Sequence, residues 1–384
     1  MIDDKDNYLI HFWIPNIFEF KGGIQVYSYF LLKSLQNSYS NKCYEVFLKH
    51  DTCASPHLLK STRFHCAGTF PLPLRTPVFA VQILGYGFWQ HPDLVIATHL
   101  HFTKAAYWLK RMTGIPYWTV AHGVEAWNIQ HPGLKRALHY ADRILAVSHY
   151  TRDRLLKEQH LDPAKISVLP NTFDATRFQI TPKPQHLLKR YNLTEQQPII
   201  LTVARLDSSE QYKGYDHILQ ALPEIRRQVP QVHYILVGKG SDRARIEQLI
   251  TSLNLQDCVT LTGFVPDEEL CDHYNLCNVF AMPSKGEGFG IVYLEALACG
   301  KPTIGGNQDG AIDALCQGEL GVLVNPDNID EITKTIIQIL QGIYPHPLLY
   351  QPELLRQKVI ETYGFERFKE TLAELLQTTE LGVQ

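Results

Sequence analysis

Short β-branched or aromatic runs alternate with helical patterns twice over in this chain, which restricts it to mostly parallel sheets with helices on both faces. In the first half, 8–14 reads as a strand, 24–35 as an apolar-striped helix, 94–97 as a strand, 102–112 as a helix and 117–120 as a strand. A strand at 144–147 follows, with Ser148 placed to cap the next helix. Between Leu169 and Gln197 the pattern lapses. Pro170, Pro182, Pro184 and Pro198 punctuate a polar stretch that marks a domain boundary. Alternation restarts with strand 199–204, helix 217–227, strand 233–237 and helix 243–253. The 384 residues are too many for one compact core and suit two domains, 1–175 and 176–364. Ligands of such sheets bind beyond the carboxyl ends of the strands. Two such edges facing each other would make one deep interdomain cleft.

Composition removes several function classes. At 45% hydrophobic and 20% charged the chain is ordinary globular protein, and a net charge of -3 supplies no bulk field for nucleic acid. Histidine spacings such as His99-Leu100-His101 lack a matching Cys, Asp or Glu pair, so no metal site is expected. The eight cysteines (Cys43, Cys53, Cys66, Cys258, Cys271, Cys277, Cys299, Cys316) show no C-x-x-C pair, and several sit in apolar runs as small buried thiols would. Asp3, Asp4, Lys5 and Asp6 do not resemble the start of a signal peptide, which points to a reducing cytoplasm. The longest apolar stretch, 77–89, is too short to span a bilayer and contains Gln82. Tyr107, Trp108, Lys110 and Arg111 share one helix, a mixture found both in packed surface helices and in weak peripheral contacts at a membrane's inner face.

Four segments carry chemistry. After a strand at 279–282, Ser284 to Gly290 forms a glycine-rich turn that enters a helix ended by Gly300. Such glycines let backbone N–H groups approach a ligand, and the new helix aims its N-terminus at an anion. Glu295 is the one charged side chain of a helix apolar on every face, so its carboxylate needs hydrogen-bond donors. Ribose hydroxyls could supply them, as could a structural Arg or backbone N–H. Glu287, in the turn, could accept from sugar hydroxyls or simply be solvated. The second segment ends a strand at Arg205 and carries Lys213 into the next helix, two cations where a pyrophosphate leaving group would need them. Third, Lys21-Gly22-Gly23-Ile24 follows the first strand without completing G-x-G-x-x-G, which counts against a dinucleotide site. Fourth, His122 and Glu125 follow the strand at 117–120, a structural or functional pair at that sheet's carboxyl edge.

Taken in order, these segments resemble the GT4 family of retaining glycosyltransferases. The run from Glu287 to Glu295 looks like its E-x7-E signature, and Gly22-Gly23, Arg205 with Lys213, Gly263-Phe264-Val265-Pro266 and Ala298-Cys299-Gly300-Lys301-Pro302 fall in the family's order. The resemblance implies the GT-B fold, two Rossmann-like domains with the acceptor mainly in the first and the nucleotide-sugar mainly in the second. It implies that Arg205 and Lys213 bind the pyrophosphate and Glu287 the donor sugar. Phe289, Gly290 and Ile291 would offer backbone contacts, Glu295 would take the ribose, Gly22 and Gly23 would approach the donor, and Gly238 and Val265 would border the base. His122 matches a residue touching the donor sugar. The last helix, within 365–384, would return to the first domain. Two places depart from the family pattern: Asn171-Thr172 stands at the domain junction, and Asp309-Gly310-Ala311-Ile312-Asp313 at the usual Gly-Gly-x-x-Glu loop.

The resemblance further implies metal-independent, retaining transfer of a hexose, with UDP-glucose the expected donor, no cofactor, and a glycan or lipid-linked sugar as acceptor in polysaccharide biosynthesis. No D-x-D follows a strand; Asp4-Lys5-Asp6 precedes the first. A nucleotide-sugar epimerase of the same fold and a catalytically silent GT-B partner subunit are the rival readings. The set of Arg205, Lys213, Glu287 and Glu295 speaks against silence.

Overall fold

The computed structural model describes residues 8–19, 22–38, 42–52 and 62–377. The expectations on Asp3 to Asp6, Lys21, Cys53 and residues 378–384 lie outside these. The chain forms two compact units, Met1–Thr172 with Phe365–Gln384, and Phe173–Gly364.

The first unit runs β1 (Leu9–Ile14), α1 (Gly23–Ser38), β2 (Cys43–Leu48), β3 (Thr62–Cys66), α2 (Leu72–Gln90), β4 (Leu94–Ala97), α3 (Leu100–Thr113), β5 (Tyr117–Ala121), α4 (Pro132–Tyr140), β6 (Arg143–Ala146), α5 (His149–Gln159) and β7 (Ile166–Val168). Its sheet has the order β3-β2-β1-β4-β5-β6-β7, and every pairing is parallel. Strands covered on both faces lose the polar alternation of half-exposed ones. That is why β4 reads Leu-Val-Ile-Ala with all four residues buried. Ser148 caps α5, its hydroxyl accepting from the Thr151 amide at 3.0 Å. The segment 77–89 lies within the 19-residue α2, which takes in Pro77.

The second unit runs α6 (Gln185–Arg190), β8 (Ile199–Val203), α7 (Tyr215–Gln228), β9 (His233–Val237), α8 (Arg243–Ser252), β10 (Val259–Gly263), α9 (Asp267–Leu276), β11 (Val279–Met282), α10 (Ile291–Ala298), β12 (Thr303–Gly306), α11 (Ala311–Ala314), β13 (Val322–Val324), α12 (Ile329–Leu340) and α13 (Pro352–Tyr363). Its parallel sheet has the order β10-β9-β8-β11-β12-β13. The strand order reverses between β8 and β11 here, and between β1 and β4 in the first sheet. At such a reversal neighbouring loops diverge and leave a crevice beyond the carboxyl ends.

The final helix, α14 (Phe365–Gln377), belongs to the first unit and packs on α1. Phe368 meets the Tyr27 ring edge-on at 5.7 Å, and Phe365 meets Phe30 at 5.4 Å. Among the described residues no helix is long and apolar enough to cross a membrane. Cys258, Cys277 and Cys299 are buried as small core residues, whereas Cys43 is exposed.

Candidate active site

In the second unit, close packing of glycines draws the loops beyond β8, β9, β11 and β12 together. Gly238, at φ +146°, lies so near the Ala204 carbonyl that a Cβ would sit 1.8 Å from its oxygen. Gly240 approaches Leu206 equally closely. Beyond β8 the chain makes a 3-10 turn at Ser208–Lys213, capped by the Asp207 carboxylate accepting from the Ser209 amide at 3.1 Å. Gly214, at φ +81°, then turns the chain against the Pro283 carbonyl and starts α7. The Lys285 amide donates to the Tyr212 carbonyl at 2.9 Å. The loops after β8 and β11 are thereby tied together, with Lys213 and Glu287 side by side.

Lys213 Nζ donates to Glu287 Oε1 in a close ion pair and lies 3.7 Å from Glu210 Oε2. Glu210 Oε1 receives Arg205 at 2.8 Å. Arg205, Glu210, Lys213 and Glu287 therefore alternate in charge along one chain of contacts. The inner three side chains are 13–15% exposed, whereas Arg205 is 63% exposed and reaches into solvent. Desolvation works against the Lys213 ammonium, but the carboxylates of Glu287 and Glu210 outweigh it and raise its pKa. Lys213 thus keeps its charge although nearly buried.

Asp309 holds Glu287 in place. Its buried carboxylate accepts from the Glu287 amide and the Ser284 hydroxyl, each at 2.7 Å, and from the Ala311 amide at 2.9 Å. Burial pushes this carboxyl up to about 7, against those three donors. The Gly310 amide returns to the Glu287 carbonyl at 2.8 Å. The turn ends at Gly290, at φ +87°, and no side chain caps α10 behind it. The Tyr293 amide donates to the Gly290 carbonyl at 3.1 Å, and the Ile291 and Val292 N–H groups ahead of it remain available to an anion. Phe289 points its ring into the core against Tyr363 at 5.4 Å, which leaves its backbone to face the turn.

On α10, Glu295 is buried and Oε2 accepts from the Tyr274 hydroxyl at 2.7 Å. Its structural partner is therefore a phenol, not the Arg or backbone N–H considered from the sequence. Oε1 has no hydrogen-bond partner among the described residues. Burial pushes this carboxyl up to about 7, opposed by the Tyr274 donor and by Arg177. Gly238 and Val265 stand at the ends of β9 and β10, where the Gly238 amide donates to the Gly263 carbonyl at 3.0 Å.

Gly22, Gly23 and His122 belong to the first unit. Asp51, beyond β2, accepts from the amides of Ile17 at 2.6 Å and Glu19 at 3.0 Å, fixing the chain as it leaves β1. The Gly22 carbonyl accepts from the Val26 amide at 3.0 Å, and α1 opens at Gly23. His122 follows β5, and its Nε2 lies 2.8 Å from the Thr98 carbonyl. A carbonyl only accepts, so Nε2 carries the hydrogen and Nδ1 is left as an acceptor. Burial lowers its pKa to about 4, so the ring is neutral. Glu125 does not reach this ring; its carboxylate accepts from the His122 amide at 2.6 Å. At the β1/β4 reversal a pocket of about 140 Å³ is lined by Ile24, Gln25, Lys49, His50, His99 and His101, among others. His99 Nδ1 accepts from the His101 amide at 3.1 Å, so its Nε2–H is the donor left over, on a side chain only 9% exposed.

Sequence reasoning missed Glu210, Tyr274 and His99 as parts of these sites, and it placed Asp309 in the loop near the donor without assigning its contacts. A signal existed for Asp309, because Asp-Gly beyond a strand is a turn whose carboxylate commonly binds nearby amides. None existed for Tyr274, which reaches Glu295 only through the packing of α9 on α10. Among the described residues no three His, Cys, Asp or Glu side chains gather as a metal site.

Two doubly wound parallel sheets, with the crevice of one lined by a glycine turn, two cations and two carboxylates, define the GT-B class of glycosyltransferase. The profile of glycosyltransferase family 4 matches residues 21–177, and that of glycosyl transferases group 1 matches 185–345. The chain belongs to the family 4 glycosyltransferases. Over 232 residues it is 34% identical to a GDP-mannose-dependent alpha-(1-6)-phosphatidylinositol monomannoside mannosyltransferase of Mycolicibacterium smegmatis, a match covering 57% of this chain and only 59% of that protein. Sucrose-phosphate synthase of Thermosynechococcus elongatus shares the fold with a TM-score of 0.79 at 22% identity, covering 97% of this chain and 98% of its own. Anabaena HepE, solved with UDP-glucose, does so at 0.78 and 20%, covering 97% and 100%.

Proposed function

We propose that the protein transfers a hexose from a nucleoside diphosphate-hexose to a hydroxyl of a glycan or lipid-linked acceptor, with retention and without a metal ion. The observation that carries this reading is the contact chain Arg205–Glu210–Lys213–Glu287 beside the uncapped start of α10. The two cations and the α10 N–H groups would stabilise charge growing on the departing diphosphate, a task given to a metal in other enzymes. Glu287 would exchange its Lys213 contact for sugar hydroxyls as the diphosphate takes Lys213. Glu295 Oε1 would receive a ribose hydroxyl. The bond from the anomeric carbon to the phosphate oxygen breaks, a bond to the acceptor oxygen forms on the same face, and the acceptor's proton passes to the leaving oxygen. Retention rests on the E-x7-E resemblance. The first unit's pocket, with the His99 Nε2–H, would seat the acceptor.

For the donor we propose GDP-mannose in place of the UDP-glucose expected from the sequence. Its support is the mycobacterial relative, named for that donor and 34% identical. NMR of the donor with and without an oligosaccharide acceptor tests the reaction. Transfer only in the acceptor's presence is expected; conversion of the sugar without acceptor would make the protein an epimerase. EDTA should leave the rate unchanged, and a loss restored by Mn²⁺ would overturn metal independence.

The raised Glu295 carboxyl makes a pH prediction. Its folded-state pKa, about 7, lies above the unfolded value, so folding favours the protonated form. That contribution, on the order of 3 kcal/mol, is complete below the unfolded pKa and is lost as pH rises through about 7. A ribose hydroxyl prefers the ionised carboxylate, so donor affinity should move the other way. Between pH 6 and 8 the thermal midpoint of the free protein should fall while donor affinity rises. Glu295→Gln should flatten the affinity curve and remove only part of the thermal slope, because the Asp309 carboxyl, also pushed up to about 7, titrates in the same window. A variant that kept the affinity slope would assign that titration to another group.

A further inference from the structure

Whole-chain composition hides a local imbalance. Acidic residues outnumber basic ones overall, 39 to 36. Yet α2, α3 and α4 contain no Asp or Glu, while they carry Arg75, Lys104, Lys110, Arg111, Lys135 and Arg136. These helices lie side by side on one face of the first sheet, with α3 packed between α2 and α4. Phe79 meets Phe102 at 4.9 Å, and Tyr107 meets Tyr140 at 5.3 Å. Lys110 is held by Asp142, just beyond α4, at 2.6 Å. Lys104, Arg111, Lys135 and Arg136 meet no carboxylate among the described residues.

The same face is apolar where it is not basic. On α2, Phe79, Ile83 and Gly87 are buried, and Gly87 lies close enough to Leu109 that a Cβ would sit 2.6 Å from it. The opposite stripe repeats at seven-residue steps as Leu74, Val81 and Phe88, all exposed, over roughly 21 Å of helix. Val81 is 73% exposed and Trp89 77%. Trp108 and Met112 continue the exposed surface on α3, whereas Tyr107, also considered from the sequence, is buried in the core. Exposed aromatics among unpaired cations, on helices that carry no acidic residue of their own, match the boundary between acyl chains and anionic headgroups.

We propose that the outer faces of α2, α3 and α4 bind the surface of a membrane containing anionic lipid. This does not rest on the donor or acceptor assignment. The test is co-sedimentation of the full chain with vesicles of phosphatidylcholine alone and with one third phosphatidylglycerol. Binding at least about tenfold tighter to the anionic vesicles is expected, with quenching of tryptophan emission by lipids brominated in the acyl chain. Lys104→Ser/Arg111→Ser/Arg136→Ser should weaken binding about a hundredfold, roughly fivefold per charge. Val81→Ser/Trp89→Ser should abolish the quenching. These side chains are exposed, and an unchanged thermal midpoint would show that the fold survives. Transfer to a water-soluble acceptor should be unaffected in both variants, which separates this proposal from the catalytic one. Equal affinity for both vesicles, binding without quenching, or a solution dimer that Val81→Ser/Trp89→Ser dissociates would each overturn it; the last would make the face an interface between copies of this chain.

Discussion

Lys213→Ala should lower kcat/KM by about 10³-fold, the scale of removing one preorganised donor from a developing anion. It should also destabilise the second unit. The Lys213 ammonium is the partner of Glu287 and lies 3.7 Å from Glu210 Oε2, and all three side chains are 13–15% exposed. Removing it leaves the nearly buried Glu287 carboxylate without its cation, while Glu210 keeps Arg205 at 2.8 Å; losing one member of a buried pair costs about 3 kcal/mol or more. Lys213→Ala/Glu287→Ala separates the two effects. The double variant should recover part of the stability, because one uncompensated charge has gone, and none of the activity. Denaturant unfolding and steady-state kinetics on the same preparations read both quantities. Recovery of activity in the double variant would show that Lys213 serves only to neutralise Glu287.

Gly310→Ala should be nearly as damaging for a purely steric reason. Gly310 has an ordinary backbone, φ -67°, so alanine meets no conformational penalty there. Its Cβ, however, would stand 2.1 Å from the Gly288 carbonyl oxygen and 2.7 Å from the Phe289 amide nitrogen. The turn that carries Glu287 must move, and it would lose its amide contacts to Asp309 and Gly310. A displacement near 1 Å at a reacting centre costs about 10²-fold in rate. Stability should fall by about 1–3 kcal/mol, as overpacked sites do. Gly85→Ala inside α2, where nothing lies within 4 Å of a new Cβ, should leave the rate unchanged and raise stability by about 0.5–1 kcal/mol, the gain in helix propensity. Wild-type kinetics in Gly310→Ala would mean that the turn is not held by the loop after β12.

Particular elements show why some of this was legible in the sequence. Strands 94–97, 233–237 and 279–282 have the same bounds in the structure, because a strand buried on both faces reads as one unbroken apolar run. β2, β3 and α2 gave no such signal. β3 is only half-buried, and α2 begins in a proline-rich stretch, where Pro73 and Pro77 argue against a helix that its packing on α3 nevertheless supports. Within the site, the spacing from Glu287 to Glu295 was visible because both residues belong to one turn and one helix. Glu210 was not, since a glutamate in a polar loop looks solvated until the fold sets it beside Arg205 and Lys213. Asp309 shows the same limit. It stands 22 residues from Glu287 in sequence, and only the parallel neighbours β11 and β12 bring the two together. The charge pattern of α2, α3 and α4 was present in the sequence too, but it became one surface only when the helices were packed side by side.

Donor binding tests the central assignment most directly. Titration calorimetry of the wild-type protein with GDP-mannose, alongside UDP-glucose, should give saturable one-site binding of GDP-mannose. Lys213→Ala and Glu295→Ala should each weaken it by at least about tenfold, the scale of losing a charge-assisted hydrogen bond. Saturable binding of UDP-glucose alone would overturn the donor and leave the site. No saturable heat with any nucleotide-sugar, or wild-type affinity in Lys213→Ala, would contradict the assignment of the Arg205–Glu210–Lys213–Glu287 chain as the diphosphate site.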